Sequence, residues 1–292
     1  MAAARLLLLA LLALGLALGP AAAAKKPPAQ FSRVIVVVME NKNFDDVIGS
    51  PDAPYVTGLA RRYALATGYY GVTHPSLPNY LALVSGSTFG ITTDCTDCNV
   101  AAPNLVDELE RRRISWRAYM GAMPSACFAG ASAGLYEKKH NPFMYFESVY
   151  SDPLRCAKVV PLMALDGALR AGRLPRFVWI TPDACDATHD CDTPVGDTFL
   201  ARLVPRLLRS LGPRGVLFLT WDEGLTGAGC CGKPGGGRVP TIVAGPAARL
   251  RARSGVPFDH YSLLRTIEDG LGLRRLGASA RARPLTPLLR QR

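Results

Sequence analysis

Beyond roughly its first two dozen residues the sequence contains no apolar run long enough to cross a bilayer, which excludes a helical membrane span downstream of that point. Internal repeats are absent, which excludes a solenoid, a propeller or another array. Base-reading motifs and interleaved basic and aromatic residues are also missing, so no specific nucleic-acid partner is expected. There is no G-x-S-x-G, the turn that presents the nucleophile of ordinary serine esterases. Histidine is scarce: His74, His140, His189 and His260 are the whole supply in 292 residues. Acidic residues are outnumbered, 23 Asp and Glu against 34 Lys and Arg, for a formal charge of +11. A basic surface raises the local concentration of phosphorylated or anionic-lipid substrates. Much of the excess lies after Arg249, and residues 278–292 read as a frayed, basic C-terminal tail.

What is present begins with an export pattern. Arg5 precedes an apolar stretch from Leu6 to Leu18, then come Pro20, the small residues Ala21 to Ala24, and Lys25 and Lys26. Residues 1–24 are therefore expected to be removed as a signal peptide. No Cys follows to accept a lipid. The remaining chain is expected to be soluble, secreted or otherwise extracytoplasmic, without stable membrane insertion. Residues 25–277 suit one large α/β domain, which can bury an ample core unaided. The eight Cys form an even set and, in an exported protein, read as paired. Cys95-x-x-Cys98 and the adjacent Cys230 and Cys231 evoke a zinc ribbon, but the second cluster lacks ligand spacing.

Short β-branched runs alternate with longer amphipathic stretches, as in βαβ units around a parallel sheet. Val34 to Val38, Phe177 to Ile180, Val216 to Thr220 and Thr241 to Ala244 read as strands buried on both faces. Helices are expected after Asn104 as a cap, across Phe199 to Leu208 with a kink at Pro205, and from Ser262 to near Gly270. The Gly-, Pro- and aromatic-rich stretch from Ala122 to Asp152 reads as a roof over a site rather than as core, and Gly232 to Gly237 as a flexible insertion.

Ligands of open α/β sheets gather at the carboxyl ends of the strands. Three strands end there in carboxylates or amides: Glu40-Asn41, Asp183 leading to Asp186, His189 and Asp190, and Asp222-Glu223. Any one of these could be a helix cap, but three directly after apolar strands point to a shared site. Ser76, in His74-Pro75-Ser76-Leu77-Pro78-Asn79-Tyr80, stands at a helix start, where free N–H groups and the dipole favour an anion. All four His fall in such site-like loops.

Met39-Glu40-Asn41, His74 to Tyr80 and Trp221-Asp222-Glu223-Gly224 resemble the M-E-N, H-P-S-x-P-N-Y and W-D-E-G segments of bacterial phosphoesterases, a family of acid phosphatases and phospholipases C. Lys139 to Phe143, Pro182-Asp183, His189 to Cys191, Gly196-Asp197 and Asp259 to Ser262 extend the resemblance across nearly the whole chain. It implies an alkaline-phosphatase-like three-layer α/β/α sandwich with a mostly parallel central sheet. It also implies a divalent metal on Glu40, Asn41, Asp222 and Glu223, with Ser76 completing the sphere as nucleophile. Such hard oxygen ligands suit Ca, Mg or Mn and accept Fe or Zn. The resemblance implies that Asn79 donates to a phosphate oxygen, and His189 is the expected general acid. His74, His140, Asp183 and His260 are expected around the substrate. In two-metal relatives Asp183, His189 and His260 would hold a second ion, but the spacing from Asp183 to His189 is wider than theirs, so one metal is expected. Tyr80 stands where sulfatases carry Arg in C/S-x-P-x-R, which disfavours sulfate ester hydrolysis. The expected activity is that of a secreted phosphomonoesterase acting through phosphoserine. A phospholipase C-type phosphodiesterase and a non-catalytic secreted binding protein on the same fold are the alternatives.

Overall fold

The computed structural model describes residues 31–290, so the expected signal segment 1–24 lies outside the described residues. Eight strands form the central sheet, in the order Arg253–Ser254, Ala64–Ala66, Thr241–Ala244, Val216–Trp221, Val34–Met39, Phe177–Thr181, Trp116–Met120 and Val159–Pro161. All pairings are parallel except those of Thr241–Ala244, which runs against both its neighbours. The four apolar runs read from the sequence are all strands of this sheet. Val34–Met39 lies in its middle and is buried along its whole length, because neighbouring strands and packed helices cover it on every side.

Two helix pairs supply the outer layers. Pro54–Arg62 packs with Thr193–Arg209, and Ser76–Ser85 with His260–Leu271. Asn104 does cap the helix Leu105–Arg111, its Oδ1 accepting from the Val106 N–H at 2.9 Å. The helix expected from Ser262 starts two residues earlier. Asp259 is its cap and accepts from the Ser262 N–H at 3.0 Å, and the helix ends on Gly272 in a left-handed conformation. The long helix carries Pro205 inside it and continues to Arg209.

Three loop expectations change. The 122–152 stretch is core as well as roof: Phe143 is buried, stacks on Trp116 at 5.8 Å and meets Trp179 edge-on at 5.5 Å. The glycine-rich segment is pinned rather than free, since Gly236 donates to the Gly71 carbonyl at 3.0 Å while Gly71 donates to the Gly237 carbonyl at 2.9 Å. A Cβ on Gly236 would stand 2.2 Å from the Thr73 carbonyl oxygen, so only glycine permits this approach. The basic C-terminal segment is packed rather than frayed over its described length, with Leu285 and Leu288 fully buried and the Arg290 N–H bonded to the Ala247 carbonyl at 2.9 Å.

All eight Cys pair as disulfides: Cys95–Cys98, Cys127–Cys156, Cys185–Cys191 and Cys230–Cys231. No helix among the described residues is long and apolar enough to cross a membrane.

Candidate active site

Strand register builds the site. Met39 and Trp221 are Cα partners in adjacent parallel strands, so the residues that follow them, Glu40 and Asp222, leave the sheet side by side. The Asp222 N–H donates to the Met39 carbonyl at 2.9 Å, and the Asn41 N–H donates to Asp222 Oδ1 at 3.2 Å. Asn41 takes φ 52° to make this turn, a region Asn tolerates better than most residues. Glu40 is fixed from the other side: its N–H donates to the Ala187 carbonyl at 2.8 Å, and its carbonyl accepts from Thr188 Oγ1 at 2.6 Å.

Ser76 is the first residue of the helix Ser76–Ser85 and is nearly fully buried. Its hydroxyl lies 3.2 Å from Glu40 Oε2 and 3.4 Å from Glu223 Oε1, and its one proton can serve only one of them at a time. One helical turn on, the Tyr80 hydroxyl donates to Glu40 Oε1. Thus Glu40, Asn41, Ser76, Asp222 and Glu223, expected together from the sequence, do converge.

Three carboxylates in one buried space are electrostatically costly. Burial and the neighbouring Asp222 hold Glu40 well above the ordinary carboxylate range. Burial raises Asp222 to about 6, and burial with Asp222 and Asp94 raises Glu223 to about 9. Asp222 Oδ2 and Asn41 Oδ1 are buried acceptors without a hydrogen-bond partner. Clustered anionic and carbonyl oxygens with unsatisfied lone pairs fit a hard divalent cation. Burial keeps His140 neutral, with Lys139 and His189 adding to the effect. Its Nε2 is 3.4 Å from Glu40 Oε2 without hydrogen-bond geometry, and neither ring nitrogen has a partner. Glu40, His140 and His189 offer atoms within 4.8 Å of one another, a grouping able to hold a metal. His140 therefore belongs beside the carboxylates, not only beside a substrate.

The other expected site residues separate into those at the rim and those behind it. His74 Nδ1 binds Glu223 Oε2 at 2.6 Å while its Nε2 meets the Thr226 carbonyl at 3.1 Å, so it holds Glu223 in place. His260 is fully buried behind the cluster. Its Nε2–H donates to the Asp222 carbonyl and its Nδ1 accepts from the Tyr69 hydroxyl at 3.1 Å. Burial lowers His260 to about 4, so it is neutral, and both of its ring nitrogens are engaged by Asp222 and Tyr69. Asp183 caps its own turn, Oδ1 accepting from the N–H groups of Cys185 at 3.1 Å and Asp186 at 2.9 Å. Among the described residues no hydrogen bond or ion pair joins it to the carboxylate cluster.

Asn79 also departs from its expected role. Its Oδ1 accepts from Val72 N–H at 2.8 Å and Thr73 N–H at 3.2 Å, while its Nδ2 donates to the carbonyls of Thr73 at 2.7 Å and Pro75 at 3.0 Å. Both amide hydrogens are engaged, leaving none for phosphate; Asn79 instead fastens the loop that delivers Ser76. Asn79→Ala should therefore lower folding stability by about 2–3 kcal/mol, read by denaturant unfolding. A residue that only donated to phosphate would leave stability unchanged.

His189 sits at the rim with Nδ1 bonded to Asp190 Oδ1 at 2.6 Å and Nε2 3.3 Å from Lys139 Nζ. Lys139 can only donate, so Nε2 is the accepting nitrogen in this arrangement. Lys139 also reaches Asp94 Oδ2 at 3.3 Å, and Asp94 Oδ1 accepts from the Leu77 N–H at 2.9 Å. Tyr80, Asp94 and Lys139 had no role assigned from the sequence. Tyr80 was reachable, since a residue four after Ser76 shares its helix face. Asp94 lies in a loop with no periodic or motif signal.

The chain is similar to known proteins over most of its length. A model of the Phosphoesterase family matches residues 50–274. Phosphatidylinositol-3-phosphatase of Mycobacterium tuberculosis is 31% identical over 262 residues, covering 88% of this chain and 83% of its own length. The phosphate-repressible acid phosphatase of Penicillium chrysogenum is 29% identical over 260 residues, and the chain spans only 60% of that longer relative. Among solved structures, a protein of the alkaline phosphatase superfamily from Vibrio parahaemolyticus superposes with a TM-score of 0.61 at 12% identity, covering 89% of this chain and 71% of that one. Murine ectonucleotide pyrophosphatase/phosphodiesterase 5, an inactive form in complex with AMP, gives 0.59 at 12% identity, covering 89% and 100%. Likeness at that identity speaks for the fold alone. The family match and the relatives together with the site make the classification plain: the chain belongs to the Phosphoesterase family and is a hydrolase acting on phosphate esters.

Proposed function

We propose that the protein is an exported, metal-dependent phosphomonoesterase that works through a phosphoserine at Ser76. The observation that carries this reading is a buried serine hydroxyl at a helix N-terminus, 3.2 Å from Glu40 and 3.4 Å from Glu223, beside the unsatisfied oxygens of Asp222 and Asn41. Export is supported by the four disulfides and the N-terminal pattern.

A divalent ion on Glu40, Asn41, Asp222 and Glu223, with His140 close by, would supply Lewis-acid screening of the phosphate and lower the pKa of the Ser76 hydroxyl. The chain's own groups account for the rest. Glu40 or Glu223 accepts the Ser76 proton as Oγ bonds to phosphorus and the ester P–O bond breaks. His74 keeps Glu223 oriented toward that proton. Lys139, drawn from His189 to the incoming phosphate oxygens, neutralises charge there. His189 Nε2, released from Lys139, takes up a proton from solvent and passes it to the leaving alcohol, then accepts the proton of the water that attacks in the second step, with Asp190 holding Nδ1–H. Water then attacks phosphorus, the Oγ–P bond breaks, and inorganic phosphate and free Ser76 result. The name of the mycobacterial relative makes a phosphate monoester borne on a lipid one form of the same chemistry.

The expected result is rapid hydrolysis of nitrophenyl phosphate, at least about tenfold faster in kcat/KM than bis-nitrophenyl phosphate or phosphatidylcholine. Preference for either diester would instead support a phospholipase C-type phosphodiesterase. Inertness of the metal-loaded protein on all three would support a binding protein.

A further inference from the structure

Several arginines of this basic chain are already occupied. Arg155, Arg206, Arg238, Arg265 and Arg275 each pair with a carboxylate. One basic cavity is lined by Arg33, Arg170, Arg206 and Arg209, of which Arg33 is bonded to backbone carbonyls and Arg206 to Asp166. A different cavity, of about 580 Å³, lies beside the active site and is lined by Gly71, Val72, Lys233, Tyr261, Arg281 and Arg283. Among the described residues none of its three cations is ion-paired. Its one acidic lining residue, Asp259, is engaged as a helix cap by the Ser262 N–H at 3.0 Å and the Ser262 hydroxyl at 3.1 Å.

The cavity is joined to the catalytic cluster through two short paths. Gly71 lines the cavity, and a Cβ there would stand 3.0 Å from the Asp222 carbonyl oxygen, so the Gly71 backbone rests against a metal-binding residue. The next residue, Val72, lines the cavity too, and its N–H is held by Asn79 in the loop that presents Ser76. On the other side Tyr261 follows His260, whose ring supports the same Asp222 carbonyl. The helix His260–Leu271 also begins here, its first turn capped by Asp259. The volume falls within the range of small-molecule sites.

We propose that this cavity is an anion subsite for a phosphate group other than the one being hydrolysed. Three cations around one space match a dianionic group with three strong acceptor oxygens. The proposal rests on the phosphoesterase reading only for the identity of the first phosphate. The second could be carried by the same substrate or be free inorganic phosphate acting beside it.

The test compares the full metal-loaded chain with K233Q/R281Q/R283Q and with a charge-matched control, R61Q/R113Q/R173Q. The substrates are nitrophenyl phosphate, with and without added inorganic phosphate, and a soluble inositol bisphosphate. The cavity variant should raise KM for the bisphosphate by about tenfold while kcat/KM for nitrophenyl phosphate stays within about twofold, and the control should move neither. A KM effect confined to the bisphosphate assigns the second phosphate to the substrate. Loss in the variant of a non-competitive effect of inorganic phosphate on nitrophenyl phosphate hydrolysis assigns it to the free ion. Equal losses on both substrates, matching losses in the control, or no loss in either with the response to inorganic phosphate unchanged overturn the subsite. Calorimetric titration of inositol bisphosphate into Ser76→Ala protein, with and without the three cavity substitutions, reads the same subsite without turnover. Equal affinity of those two proteins for inositol bisphosphate, and for inorganic phosphate titrated in the same way, also overturns it, whatever role Ser76 plays.

Discussion

Replacing Ser76 by Ala should abolish turnover, by roughly 10⁴-fold or more, while leaving the fold intact. The loss is large because no second hydroxyl stands where this one does. Tyr80, the other hydroxyl on the cluster, donates to Glu40 and burial raises it well above its ordinary range, so it is a poor nucleophile. The fold should survive because Ser76 is held by its backbone: it opens a helix whose next N–H is fixed by Asp94, and alanine is a better helix former. Its hydroxyl contacts only carboxylates, so unfolding free energy should change by no more than about 1 kcal/mol. Two measurements check the outcome. Steady-state assay of the variant gives the loss of rate. Acid quench of wild-type protein with a labelled phosphate ester should trap label on the peptide carrying Ser76, and the variant should carry none. Retained turnover, or label found elsewhere, would remove Ser76 from the reaction.

The contrast between Ser76 and Asn79 shows what a sequence can and cannot convey about such a site. Apolar runs such as Val34 to Val38 are legible because a strand covered on both faces must be apolar throughout, whatever it is paired with. The carboxylates just after two of those runs are legible for the same reason: adjacent parallel strands end together, and Glu40 and Asp222 inherit their proximity from the Met39–Trp221 register. Asn79 sits in an equally suggestive motif, yet its four hydrogen bonds all go to backbone groups of residues 72 to 75. Residue type states what an amide can do, but only the loop's path determines which partners reach it first. Asp183 and His260 are likewise engaged by their surroundings, the first capping its own turn and the second buried behind Asp222. Lys139, in the short 3-10 helix Lys138–His140, and Asp94, in an irregular loop, are linked across 45 positions, where no periodicity reports distance. The C-terminal segment misleads through composition. Its arginines suggest a solvated tail, while Leu285 and Leu288, three apart, anchor it to the domain.

Stripping the metal should make the protein less stable as pH rises, and the divalent ion should reverse that trend. Without a cation, Glu40, Asp222 and Glu223 are all pushed upward by burial, Glu40 and Glu223 also by Asp222, with Asp222 at about 6 and Glu223 at about 9. In the unfolded chain such groups titrate near pH 4. Between about pH 4 and about pH 9 the folded protein therefore holds more protons than the unfolded one, and stability falls as pH increases. The contribution is fully present below about pH 4 and is lost progressively as Asp222 and then Glu223 ionise in their buried site. A cation changes the sign of the effect because it binds only the deprotonated ligands and offsets their mutual repulsion. At a concentration about a thousand times its dissociation constant it should add about 4 kcal/mol, or about 10 °C in Tm for a domain of this size. Scanning calorimetry on chelated and metal-loaded protein at about pH 5 and about pH 8 reads both effects, and the gap in Tm should be wider at the higher pH. Activity should follow the loaded fraction and return when metal is restored. A chelated protein that gains stability on going to higher pH, or one whose Tm and turnover ignore chelation, would show that these buried carboxylates are relieved by something other than a bound cation.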